Sequence, residues 1–198
     1  MNLIKIKKII VQHEQTDFFN LVWTLAAIVL GWLIIESNFV AHMFMNNDAL
    51  FQLPSLQNIL KNGGPSSVFY RPDIIGGTPV ADILGRLPIY DLAAFFGWPV
   101  VLTMNLGLML SQVLVAFLGA KATVSLAKLW GYEAKVSGLQ FALIAATFAF
   151  MPVVASRVQY GHLDLIYGML LFSVIASLLL CARAGDLSLT FFTAITIA

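Results

Sequence analysis

The sequence predicts an all-α fold: a polytopic transmembrane helix bundle with a long extracytoplasmic loop, carrying short amphipathic helices, after the first span. Composition is the first reason. The chain is 60% hydrophobic and 11% charged, with a mean hydropathy of +0.88, whereas a soluble domain carries roughly a quarter charged residues. The second reason is the set of apolar runs, each near the roughly 20 residues that a helix needs to cross about 30 Å of hydrocarbon. The third is the uneven placement of Lys and Arg between those runs.

The first run, FFNLVWTLAAIVLGWLIIESNFV, holds no charge between Asp17 and Glu36, so a span is expected over 18–36. The run 99–120 follows, with Thr103, Asn105, Ser111 and Gln112 as interior polar groups expected to face neighbouring helices. Spans at 137–155 and 163–182 come next, and 187–198 reads as the first half of a fifth. All belong to a single membrane domain, 1–198. Because the chain stops at Ala198 inside an apolar run, it is expected to be a fragment of a longer protein. The first run is too long for a cleavable signal and lacks a small-residue cleavage site. Cys181, the single cysteine, excludes an internal disulfide and reads as a small apolar residue within a span.

Seven cations, Lys5, Lys7, Lys8, Lys121, Lys128, Lys135 and Arg183, fall on one side of this layout, and four, Lys61, Arg71, Arg86 and Arg157, on the other. The N-terminus is therefore expected in the cytoplasm, the location being the plasma membrane of a bacterium or archaeon. A net charge of +1 offers nothing to a nucleic acid; the expected partner is the lipid bilayer.

The loop 37–98 is long for a connection, and long connections tend to carry function. Leu50, Leu53, Leu56, Ile59 and Leu60 recur at helical spacing behind Asn47-Asp48 and ahead of Gly63-Gly64, which describes an amphipathic surface helix bent at Pro54. Asp48 fits a helix cap there as well as it fits a chemical role. The next stretch is rich in Gly and Pro, as ordered loops are. A short apolar helix, LAAFFGW, precedes Pro99, with Asp91 as its starting carboxylate. The second outer connection, SRVQYGHLDL (156–165), is short and polar. His162 there reads equally as an interfacial hydrogen-bonding residue, and Arg157 as a cation snorkelling to the interface. Together, however, Asp48, Arg71, Asp73, Arg157, His162 and Asp164 would gather on one membrane face. Carboxylates and cations beside a bilayer suit a phosphate-bearing lipid and a hydroxyl to be deprotonated.

The order of these pieces, NDALFQ (47–52), IIGGTP (74–79), LPIYD (87–91), FAFMP (148–152) and YGHLD (160–164), resembles the N-terminal part of the GT-C superfamily of multi-span glycosyltransferases. The likeness is to the YfhO-like and dolichyl-phosphate-mannose protein mannosyltransferase-like members in particular. It implies transfer of a sugar from a polyprenyl-phosphate donor to an acceptor hydroxyl on the extracytoplasmic face. Asp48 would be the general base or, in metal-using members, a ligand to a divalent cation. Arg71, Arg157 and His162 would supply positive charge near the departing phosphate, with Asp73 and Asp164 beside them at the substrate. The residues themselves fix no cofactor. Many members carry paired acids where this chain has Asn47-Asp48, and an amide with one carboxylate is a poor divalent site. Family members usually have eight or more spans, so the chain alone is expected to be inactive.

The competing expectation is a non-catalytic membrane protein that transports or scaffolds lipid or polysaccharide. A transporter is disfavoured by spans without central charges, and a hydrolase by the lack of His-Glu-x-x-His or Gly-x-Ser-x-Gly sequences. If the transferase reading holds, Asp48 and the His162–Asp164 turn line one outward cavity.

Overall fold

The computed structural model describes residues 3–35, 93, 95–132, 136–152, 154 and 163–197, with side chains from Gln15 in the first segment and from Met169 in the last. Every element among them is a helix: α1 (Leu3–Ile35), α2 (Val100–Leu129), α3 (Gly138–Phe150), α4 (Leu163–Ala184) and α5 (Leu189–Ile197). Two stretches, Gln15–Ile34 in α1 and all of α2, are long and apolar enough to cross a membrane.

Helix boundaries follow local chemistry. α1 begins at Leu3, since no Gly or Pro interrupts the backbone until Gly31, and its apolar stretch Gln15–Ile34 overlaps the span expected over 18–36. Pro99 opens α2, its carbonyl accepting from both the N–H and the hydroxyl of Thr103, in keeping with the place of proline at helix starts. α2 continues past 120 to Leu129. Lys121 does not end it, because that charge finds a partner inside the protein. At the start of α3, Ser137 and Gln140 form a reciprocal capping box, the Ser137 hydroxyl accepting from the Gln140 N–H and the Gln140 side chain accepting from the Ser137 N–H. α3 then stops at Phe150, inside the span expected over 137–155, and residues 152 and 154 are helical again. Met151, at φ −58° and ψ 143°, is held extended by the proline behind it.

Three helix ends turn on glycines in the left-handed region, Gly97, Gly131 and Gly185, at φ +64°, +86° and +71°. Each is followed by a residue whose N–H reaches back to the helix: Trp98 to the Ala93 carbonyl, Tyr132 to Ala127, and Asp186 to Cys181. This is the Schellman closure, which pairs carbonyls that the helix end would otherwise strand. Around Gly97, residues 93, 95 and 96 are helical, as expected for the described part of LAAFFGW.

The chain divides into two compact units: Met1–Gly31 with Gln112–Met151 and Met169–Ala198, and Trp32–Ser111 with Pro152–Gly168. In the first unit the helices alternate in direction. α3 runs with α1, since Gly138 lies against Trp23 and Gly31 against Phe150. α2 runs against α3, since Phe117 packs on Phe141 with ring centroids 5.8 Å apart while Gln112 meets Ala149 farther along. The C-terminal parts of α2 and α4 meet at Ser125 and Cys181, and α5 starts from the same end. The approaches are close because glycine permits them: a Cβ on Gly138 would sit 2.7 Å from Trp23 Cδ1, and one on Gly119 3.0 Å from Phe148 Cδ1.

In the second unit, Thr103, Asn105 and Ser111 are buried, as is Gln112 in the first. Gln112 donates to the Ala149 carbonyl at 2.8 Å. That carbonyl lies in the last turn of α3, where the helix stops before it can supply an N–H four residues on.

Candidate functional site

The polar chemistry of the first unit gathers where α1 enters, α2 and α4 finish and α5 begins. Asp17 lies on the buried stripe of α1 with Asn20, Thr24 and Ile28, positions that share one face at helical spacing. Lys121 of α2 donates to both of its carboxylate oxygens, at 2.5 and 2.6 Å. The two side chains are 7% and 2% exposed. The Ser188 hydroxyl, from the connection into α5, also donates to Asp17. The same hydroxyl accepts from the Phe191 N–H at 3.0 Å, so Ser188 caps α5 while it holds α1.

A second cluster lies two residues earlier in that connection. The Gly185 turn delivers Asp186, 3% exposed, to α2. There Lys128 donates to one carboxylate oxygen at 2.6 Å and Ser125 to the other at 3.0 Å. Ser125 also lies 3.3 Å from the Cys181 sulfur, and Cys181 is free and buried.

Chemically, both clusters are charge-matched. Each acid is held by a lysine and a hydroxyl, which leaves it engaged in holding helices rather than poised to take a substrate proton. Separating either pair would strand a charge in a buried setting, where an unpaired ion is expensive. Among the described residues no three His, Cys, Asp or Glu side chains come together as a metal ion requires.

The outer surface is the inverse of this interior. Phe18, Phe19, Val22, Trp23, Leu25 and Leu30 on α1 are exposed, while the buried stripe of the same helix is largely polar. On α4, Leu171, Phe172, Ile175 and Leu179 are exposed and Ser177 is buried. Exposed Thr147, Thr193 and Thr196 turn their hydroxyls onto carbonyls four residues back in their own helices, leaving methyl groups outward.

Of the residues that the sequence singles out for chemistry, Asp48, Arg71, Asp73, Arg157 and His162 lie outside the described residues. Asp164 is the second residue of α4, its side chain outside the description. The amphipathic helix with its bend at Pro54, and a cavity shared by Asp48 and the His162–Asp164 turn, fall there too. The two clusters described above were not foreseen. Lys121 and Lys128 entered the sequence reading only as charges that orient the chain, and Asp17 only as the edge of a run. The sequence-level signal was available: acids flank the same ends of the apolar runs as those lysines. Their partners, however, stand 104 and 58 positions away. No protein-family model matches the chain, and neither does any curated protein or solved structure.

Proposed function

We propose that this chain is a polytopic integral membrane protein, N-terminus in the cytoplasm, and that it forms part of a glycosyltransferase of the GT-C type. The reaction moves a sugar from a polyprenyl-phosphate donor to an acceptor hydroxyl on the extracytoplasmic face. The observation that supports the membrane reading best is the polarity of α1, with Phe18, Phe19, Val22, Leu25 and Leu30 outward and Asp17, Asn20 and Thr24 inward, joined on α4 by outward Leu171, Phe172, Ile175 and Leu179 and inward Ser177. In water such a surface would aggregate; in lipid it is the stable arrangement, because tails match the apolar exterior while polar side chains bond between helices. The alternating helix directions of the first unit are those of a chain threaded back and forth across a bilayer.

The transferase reading is supported by the ordered motifs of the sequence and by the position of Asp48. The 20-residue stretch Gln15–Ile34 rises about 30 Å, the thickness of a hydrocarbon core. Asp17 stands in its first turn, so in this reading the chain that leaves α1 would emerge on the opposite face, and Asp48 would belong to that face. There the carboxylate would take the proton of the acceptor hydroxyl as that oxygen attacks the sugar's anomeric carbon. The bond to the donor phosphate breaks with its electron pair leaving on the phosphate, whose charge Arg71, Arg157 and His162 would offset. Asp73 and Asp164 would bind the substrate beside them. Asp48, with Asn47 beside it, would be the first place to look for a divalent cation, and no step in this account requires one.

The test is Asp48→Asn in the protein as cells make it, assayed in membranes with radiolabelled polyprenyl-phosphate-mannose and polyprenyl-phosphate-glucose. Asn caps a helix about as well as Asp, so insertion and expression stay normal, while transfer drops by more than about 100-fold if the carboxylate is the base. Transfer at the native rate would remove Asp48 from catalysis and favour a non-catalytic protein that transports or scaffolds lipid or polysaccharide.

A further inference from the structure

The two charge clusters are joined by three consecutive residues of one connection. Asp186 is bound to Ser125 and Lys128 of α2, and Ser188 to Asp17 of α1. Between them lies only Leu187, and the connection is stiff at both ends. The Schellman closure at Gly185 fixes its entry from α4, and the Ser188 cap fixes its exit into α5. Cys181 sits at the base of this arrangement, fully buried beside Ser125. The hydroxyl of Ser188 holds α1, while Asp186 holds α2.

We propose that these contacts form a single latch, in which release of Ser188 from Asp17 also loosens Asp186 from α2 and uncovers Cys181. The physical basis is the shortness of the connection. With one residue between the two anchors and each flanked by a fixed helix terminus, neither anchor can move by a side-chain length without displacing the other. Two independent ion pairs would behave otherwise: losing the α1 contact would leave Asp186 holding Ser125 in place beside Cys181. The latch thus ties α1, the first helix of the chain, to α5, the last described, through a device that also governs access to the one thiol. It stands whether or not the chain is a glycosyltransferase.

Cys181 is the only cysteine in the sequence, and its modification is read on the peptide that carries it, by mass spectrometry. The experiment measures the rate of modification by N-ethylmaleimide, which crosses membranes, on the protein in the membranes of cells that make it. When opening and closing are fast, that rate follows the open population. Native protein is expected to label slowly relative to the same protein unfolded in detergent and urea. Ser188→Ala leaves both ion pairs matched and removes the α5 cap and the α1 contact together; it is expected to label about tenfold faster. Ser188→Thr, which restores a hydroxyl, returns labelling toward the native rate. Asp186→Asn, which weakens the cluster next to the thiol, is the positive control and labels faster whatever the coupling. Fast labelling of Ser188→Ala with rescue by threonine supports one latch. Labelling of Ser188→Ala at the native rate, with Asp186→Asn fast, overturns it in favour of two independent pairs, and native protein that labels as fast as unfolded protein overturns it as well.

Discussion

Replacing Lys121 with methionine gives the most direct reading of how the first unit is held. The ammonium is buried and donates to both oxygens of an equally buried carboxylate. Methionine fills similar volume but leaves Asp17 with the Ser188 hydroxyl as its remaining donor in this cluster. Removing one partner of a buried ion pair costs about 3–5 kcal/mol, because the surviving charge has lost its counterion without regaining water. The lower figure is the expected one here, since the Ser188 bond persists. For a domain of this size, about 3 kcal/mol lowers the melting temperature by roughly 6–12 °C. The reverse variant, Asp17→Asn, is expected to cost less. Its stranded charge sits on a four-carbon stem that can carry the amine toward the end of α2, whereas a carboxylate on one methylene cannot follow. The double variant Asp17→Asn with Lys121→Met buries no charge and still offers Ser188 an acceptor, so it is expected to return to within about 1 kcal/mol of native. The assay is thermal unfolding of the purified protein in micelles, followed by tryptophan fluorescence. A Lys121→Met protein within about 0.5 kcal/mol of native, or a double variant no more stable than Lys121→Met, would refute the claim that charge pairing holds these helices.

Further outcomes follow from the helix ends and contacts. Gly185→Ala and Gly131→Ala are each expected to destabilise by about 1 kcal/mol; a Cβ there meets nothing within 4 Å, so the loss measured by thermal unfolding is the backbone cost of a positive φ. Gly138→Ala is a steric case, its Cβ falling 2.7 Å from Trp23 Cδ1, and is expected to cost about 1–3 kcal/mol with a shift in Trp23 emission. Gln112→Leu removes the donor to the Ala149 carbonyl at an expected cost of about 1–2 kcal/mol, whereas Gln112→Asn, too short to reach, should match Leu rather than the native residue.

What the sequence made legible is what local chemistry decides. The start of α4 at 163 follows from its neighbouring residues, whereas the capping box at Ser137 and the turns at Gly131 and Gly185 were not singled out, although Ser-x-x-Gln and the glycines carry those signals. The burial of Asn105, Ser111 and Gln112 was likewise legible, since isolated polar residues in an apolar run have nowhere better to go than a helix interface. The helices α1 and α2 run beyond the spans expected at 18–36 and 99–120, because a charge that bounds an apolar run need not end the helix. A lysine ends a helix's passage through an apolar setting only when nothing neutralises it, and Asp17 neutralises Lys121 from 104 positions away. Such pairing depends on which helices become neighbours, a property of topology that composition and periodicity do not carry. The residues proposed for chemistry were chosen on motif order and on the face that they share, which is where the sequence speaks about function here.

The membrane reading underlies everything proposed for the chain, and its most direct test is the depth of the outward-facing side chains. Phe172, 78% exposed on α4, and Leu25, 48% exposed on α1, would each be replaced by a spin-labelled cysteine in protein reconstituted into lipid vesicles, with Cys181 changed to alanine and a label at Tyr132, 66% exposed beyond the end of α2, as the aqueous reference. Collision with oxygen, which concentrates in lipid, would be compared with collision with a water-soluble nickel chelate. The account predicts that the labels at 172 and 25 meet oxygen freely and the chelate rarely, with the reverse at 132; labels at 172 and 25 that meet the chelate as readily as the one at 132 would contradict it.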